Sequence, residues 1–146
     1  MSPTMYIVVV SHSQLVVVER MLESMCRFED ISDFDVFIIE DNRHRILGSE
    51  PEFKLPHKFA ANDEPNGYAA NVNTAFTRTL GDYFCTINPY AIFTQEIFKS
   101  LQRDVSGGRA DIVAPIVQDR SGKTSGLSPK FAHAVAASLA AACPLA

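Results

Sequence analysis

Short apolar runs rich in β-branched residues alternate along this chain with stretches whose apolar residues recur every three or four positions. That alternation constrains the fold more than any other feature. Met5–Val10 (MYIVVV) is apolar at every position, which marks a strand buried on both faces. Asp35–Glu40, Asp82–Ile87 and Asp111–Val117 are runs of the same type, and Pro115 places the last at an edge or a bulge. A short strand is also expected within Phe53–Ala61, after Pro56. Between these runs, Gln14–Arg27 carries Leu15, Val18, Leu22 and Met25 in one stripe, with Ser13 as its N-cap. Tyr68–Leu80 carries Val72, Ala75, Phe76 and Thr79 on one side and stops at Gly81. Thr94 is placed to cap a third helix through about Arg103, with Ile97, Phe98 and Leu101 inward. The order β-α-β-(β)-α-β-α-β predicts an α/β fold, a mostly parallel sheet with helices on both faces.

Composition narrows the class. The 146 residues are enough for one domain. Seventeen acids against 13 Lys and Arg give a net charge of −4, and that balance excludes a non-specific nucleic-acid binder. Cys26, Cys85 and Cys143 are odd in number and far apart, which fits a reducing compartment better than a disulfide framework or a zinc site. The longest strongly apolar run, Met5–Val10, falls far short of the ~20 residues a spanning helix needs. No basic region precedes it, so no signal peptide is read. The expected location is cytoplasmic, with no transmembrane segment. The alanine-rich tail over residues 132–146 is expected to be helical and to follow a domain over residues 1–131.

Right-handed crossovers would bring the strand ends onto one rim, where open α/β sheets bind ligands. Four polar clusters follow the apolar runs: Ser11-His12-Ser13, Asp41-Asn42, Asn62–Asn66 and Asn88-Pro89-Tyr90. Several familiar chemistries are absent from them. SHSQLV after the first strand is not the glycine fingerprint of a dinucleotide site, and Gly107-Gly108-Arg109 is not a P-loop. Phe37–Asn42 (FIIEDN) is similar to the acidic motif of receiver domains, but no aspartate follows between Tyr83 and Phe93 to accept phosphate. His12, His44, His57 and His133 show no metal-ligand spacing.

Five segments in order resemble family 2 glycosyltransferases of the GT-A fold, nearest in pattern to rhamnosyltransferase-like members. They are IVVVSHS (Ile7–Ser13), VFIIEDN (Val36–Asn42), NGYAANVNTAF (Asn66–Phe76), LGDYFCTINPYAIF (Leu80–Phe93) and ADIVAPIVQDRSG (Ala110–Gly122). The resemblance implies a Rossmann-like nucleotide-sugar-binding half that takes a dTDP- or UDP-linked donor and passes a hexosyl unit to a saccharide or lipid-linked acceptor. It implies that Ser11 lines the nucleotide pocket and that Asp41 accepts a hydrogen bond from the base. It sets Asn66, Gly67 and Asn73 beside the sugar and diphosphate, and Asn88 on the same rim.

Two departures from the family pattern bear on chemistry. The family has a metal-holding aspartate where this chain has Tyr90, which casts doubt on a Mg²⁺ or Mn²⁺ cofactor, because hard divalent ions favour carboxylate oxygens. The acceptor-binding half that supplies the family's general base has no counterpart here, so no catalytic residue is assigned. The implied activity is therefore either glycosyl transfer, as part of polysaccharide biosynthesis, or nucleotide-sugar binding by a non-catalytic module. A second copy or a partner subunit would then complete the molecule.

Overall fold

The computed structural model describes residues 4–46, 51–108, 110–124 and 137–141. Its strands are β1 (Met5–Ser11), β2 (Phe34–Glu40), β3 (Lys58–Ala61), β4 (Tyr83–Ile87), β5 (Ile112–Val113) and β6 (Ala137–Ala141). Its helices are α1 (Leu15–Phe28), α2 (Tyr68–Phe76) and α3 (Phe98–Ser106). They form one sheet in the order β3-β2-β1-β4-β6-β5. The first four of these strands are mutually parallel, and β6 runs antiparallel to both β4 and β5.

The apolar run of β1 is explained by its place. It lies between β2 and β4, and all seven of its residues are buried. Met5, Ile7 and Val9 face one way, into a core with Val18, Met21, Leu22 and Met25 of α1 and Phe98, Leu101 and Val105 of α3. Tyr6, Val8 and Val10 face the other way, with Phe37, Ile39, Phe84 and Ala75 of α2. Helices thus cover both faces, as the alternation requires, because a strand with period-two side chains must bury both sets.

Several local expectations are corrected. Ser13 does not cap α1: it has a positive φ of 61°, and the Gln14 N–H donates to Ser11 Oγ instead, at 3.1 Å. α2 stops at Phe76, short of Leu80, and the Thr77 and Thr79 hydroxyls donate back to the carbonyls of Thr74 and Ala75. Gly81 serves close approach: a Cβ there would lie 2.9 Å from the Thr4 carbonyl oxygen. Thr94 does not open α3. The Glu29 carboxylate does, accepting from the Ile97 N–H at 2.6 Å and the Phe98 N–H at 3.2 Å. The run Asp111–Val117 shortens to Ile112–Val113, ahead of Pro115. The tail expected to be helical supplies a strand at Ala137–Ala141, which occupies the side of β4 away from β1. Satisfying the open edge of β4 outweighs the helix preference of alanine. The rest of the tail, with His133 and Cys143, lies outside the described residues.

Candidate functional site

The parallel order β2-β1-β4 sets the carboxyl ends of three strands side by side. Two successive acids end β2 and point to opposite faces. Glu40 follows Val36 and Ile38 toward the α1 side, and Asp41 follows Phe37 and Ile39 toward the α2 side.

Glu40 is fully buried and stands opposite Ser11 in the β1–β2 register. Its carboxylate accepts from the Ser11 hydroxyl at 2.6 Å, the Ser13 N–H at 2.8 Å and the Asn42 N–H at 3.1 Å. One side chain therefore holds the loops that leave both strands, and it explains how Ser13 is kept at positive φ. Glu40 was not singled out from the sequence. The signal was present, since an acid ending an apolar strand on its inward face must find donors.

Asp41 is 3% exposed. Its Oδ1 accepts from the Asn62 side-chain amide (2.8 Å), the Asn71 side-chain amide (2.7 Å) and the Asn66 N–H (2.8 Å). Its Oδ2 accepts from the Gly67 N–H at 3.0 Å. Four donors meet the roughly four acceptor positions of a carboxylate. Burial works against the charge, but the hydrogen bonds from Asn66, Asn71, Asn62 and Gly67 outweigh it and hold the carboxyl down at about 2. The remaining amide hydrogens are used in the same ring. Asn62 donates to Asn71 Oδ1 at 2.7 Å, and Asn71 donates to the Gly67 carbonyl at 2.9 Å. Gly67 has φ 82° and ψ 163°, a conformation almost confined to glycine, which lets two successive N–H groups face one carboxylate. His12 Nδ1 lies 3.7 Å from Asp41 Oδ2 with its ring largely open to solvent.

Ser11, Asp41, Asn66 and Gly67 thus meet at the β1 and β2 ends, through Glu40 and the asparagine ring. Asn73 stands on the exposed side of α2, and it is Asn71 that reaches Asp41. Asn88 follows β4, where its Oδ1 accepts from the Tyr90 N–H at 2.9 Å. The Tyr90 ring is exposed, and its hydroxyl accepts from Gln14 Nε2 at 2.8 Å, tying the loop after β4 to the start of α1. Asn88 and Asp41 therefore flank β1 from its two neighbouring strands, two strand spacings or about 10 Å apart.

This arrangement has clear relatives. The family model "Glycosyl transferase family 2" matches residues 6–135. The chain belongs to glycosyltransferase family 2. Solved structures with a similar fold include S. aureus TarS 1-349, at TM-score 0.66 and 14% identity over 86% of this chain and 39% of that one. The same TarS 1-349 in complex with UDP-GlcNAc gives TM-score 0.64 at 12% identity, over 84% and 37% of the two chains. The mannosyltransferase PcManGT from Pyrobaculum calidifontis, in complex with GDP-Man and Mn²⁺, gives 0.59 at 12% identity over 82% and 36%. The GT-A fold is therefore shared, and the present chain spans well under half the length of each of these relatives. No curated protein sequence matches it.

The donor set of this family 2 glycosyltransferase chain does not fit a divalent ion. Asn88 Oδ1 is turned back on the Tyr90 N–H, and a tyrosine rather than a carboxylate stands at position 90, its hydroxyl engaged by Gln14. Among the described residues, no three His, Cys, Asp or Glu side chains gather closely enough to hold a metal. A groove of about 180 Å³ lies elsewhere, along the flank of α1, lined by Leu22, Cys26, Phe53 and Leu55 with a Lys54–Glu23 pair across it. α1 runs back from the rim, so this groove is remote from the strand ends. Among the described residues, no helix is long and apolar enough to cross a membrane.

Proposed function

We propose that this chain binds a nucleoside-diphosphate sugar, dTDP- or UDP-linked, across the carboxyl ends of β2, β1 and β4. It then serves transfer of a hexosyl unit to a saccharide or lipid-linked acceptor, in polysaccharide biosynthesis in the cytoplasm. The observation that carries this reading is the Asp41-centred ring. It joins the β2 end to the Asn66-Gly67 turn and fixes the start of α2 beside that strand end, and a helix N-terminus is a setting that favours phosphate oxygens. Family membership and the nucleotides held by TarS and PcManGT support it. Asp41 acts in this reading by shaping the rim, Ser11 ends the central strand beneath the cleft, and Asn88 borders it from β4; Asn73, on the outer face of α2, takes no part.

A second reading is favoured by one observation. The acids at the β2 end are both buried and bonded within the protein, so neither is placed to take a proton from an acceptor hydroxyl. On that reading the chain binds the donor without turnover, with a second copy or another subunit supplying the acceptor side.

Titration calorimetry with UDP, dTDP and GDP tests the shared part. UDP or dTDP is expected to bind with a Kd in the micromolar to millimolar range, and absence of heat from all three ends the proposal. Donor hydrolysis or transfer by the purified chain then separates the enzyme from the binding module.

A further inference from the structure

We infer that the Tyr90 hydroxyl is a ligand contact, donating its hydrogen to a phosphate oxygen of the bound nucleotide. This rests on the nucleotide-sugar reading above and deepens it by naming a group on the β4 side of the rim that meets the diphosphate.

Phosphate oxygens accept hydrogen bonds, so a site for them must keep donors that the protein has not spent on itself. Many donors at the three strand ends are spent. The Ser11 hydroxyl and the N–H groups of Ser13 and Asn42 are given to Glu40. The Asn62 and Asn71 amides and the N–H groups of Asn66 and Gly67 are given to Asp41. The Tyr90 N–H goes to Asn88 Oδ1, and the Ala91 N–H goes to the Asn88 carbonyl at 3.0 Å. The Tyr90 hydroxyl differs from all of these. Its oxygen accepts from Gln14 Nε2, and among the described residues its own hydrogen meets no acceptor. A phenol accepts and donates at once, so the bond from Gln14 fixes the oxygen and leaves the O–H for a ligand. Accepting that bond also polarises the hydroxyl toward donating.

The hydroxyl is also well placed. Gln14 follows the end of β1 and opens α1, and its N–H donates to Ser11 Oγ, which in turn donates to Glu40. A chain of hydrogen-bonded residues therefore runs from the β2 end, across the β1 end, to the loop after β4, and the Tyr90 oxygen is its last member. The Tyr90 residue is 64% exposed, so burial does not explain why its hydroxyl is fixed, and a ligand on the rim reaches it without displacing the protein.

The test is calorimetry of UDP and dTDP binding to the full chain and to Tyr90→Phe, which removes one oxygen, checked for an unchanged melting temperature. The Kd is expected to rise about tenfold for each nucleotide that the parent binds, since the diphosphate is common to them. An unchanged Kd overturns the inference and leaves nucleotide binding standing. A rise for one of two bound nucleotides alone would place the contact at the base and overturn it as well. Absence of binding by the parent overturns nucleotide binding itself, and this inference with it. Gln14→Ala releases the hydroxyl and is expected to weaken UDP about threefold in the parent, with no further loss in the Tyr90→Phe background. An equal loss in both backgrounds would remove Gln14 from the account.

Discussion

A buried carboxylate is useful only where the protein supplies enough donors to keep it charged, and Asp41 is met in this way. Asp41 lies below its ordinary value of 3.8, at about 2, although burial alone would raise it. Its contribution to stability is therefore complete above about pH 4 and is lost as the pH falls through about 2. Asp41→Asn puts an amide where four donors converge, and its own hydrogens would face theirs. The variant is expected to lose about 2–4 kcal/mol in urea unfolding at pH 7, a deficit that narrows toward pH 2. Glu29 behaves in the opposite sense. Burial raises its carboxyl above 4.5, against the lowering effect of the Ile97 and Phe98 N–H groups. Its contribution is present below about pH 4.5 and is lost as the pH rises through the raised value. Glu29→Gln keeps an oxygen for both N–H groups, so its stability relative to the parent should rise between pH 4 and pH 7. Glu29→Ala removes the cap and should cost about 0.5–2 kcal/mol at any pH in that range. A fall in the relative stability of the Gln variant as pH rises would show that the carboxylate is not strained by burial.

Among the elements, those that came through from sequence to structure are the ones whose reasons are local. β1 and β4 sit at the middle of the sheet, so they need apolar residues on both faces, and a continuous apolar run announces that need. The stripe of α1 is equally direct, since Val18, Met21, Leu22 and Met25 pack on β1. What did not come through depended on partners far along the chain. Glu29 caps α3 across nearly 70 residues, and no pattern near Thr94 records it. β6 is an alanine-rich run that alone favours helix, yet its neighbour β4 decides its pairing. Asn71 could have been chosen over Asn73 from helix phase alone. It lies four residues before buried Ala75 and so shares its face, whereas Asn73 is about 200° further round than Asn71. Gly81, between α2 and β4, gives a test at this scale. Gly81→Ala would place a methyl 2.9 Å from a backbone oxygen of Thr4, where the Asp82 and Tyr83 N–H groups also bond. A loss of about 1–3 kcal/mol is expected in thermal or urea unfolding. An unchanged midpoint would mean that the segment before β1 can shift freely.

At the scale of the whole molecule, the sheet has two unlike halves. The parallel half, β3-β2-β1-β4, carries the acids and asparagines of the rim, while β6 and β5 are added in antiparallel sense beyond β4. The second half bears on the site through β4, because the loop from Asn88 to Tyr90 leaves directly from that strand and reaches Gln14. Without β6, β4 would present an open edge, which is a template for pairing with another chain. Leu139 pairs with Cys85 on one side and Val113 on the other, so it is the position at which to break the addition. Leu139→Pro removes a backbone donor from the interior of the sheet, where proline is not tolerated. A loss of about 3 kcal/mol corresponds to a fall of roughly 6–12 °C in the melting temperature of a domain this size. Self-association on gel filtration should accompany it as the β4 edge opens. Nucleotide affinity should fall with stability if the Asn88–Tyr90 loop depends on that edge being closed. A variant that melts at the parent's temperature and stays in the parent's association state would show that β4 does not need β6, and the parallel half alone would then account for the fold.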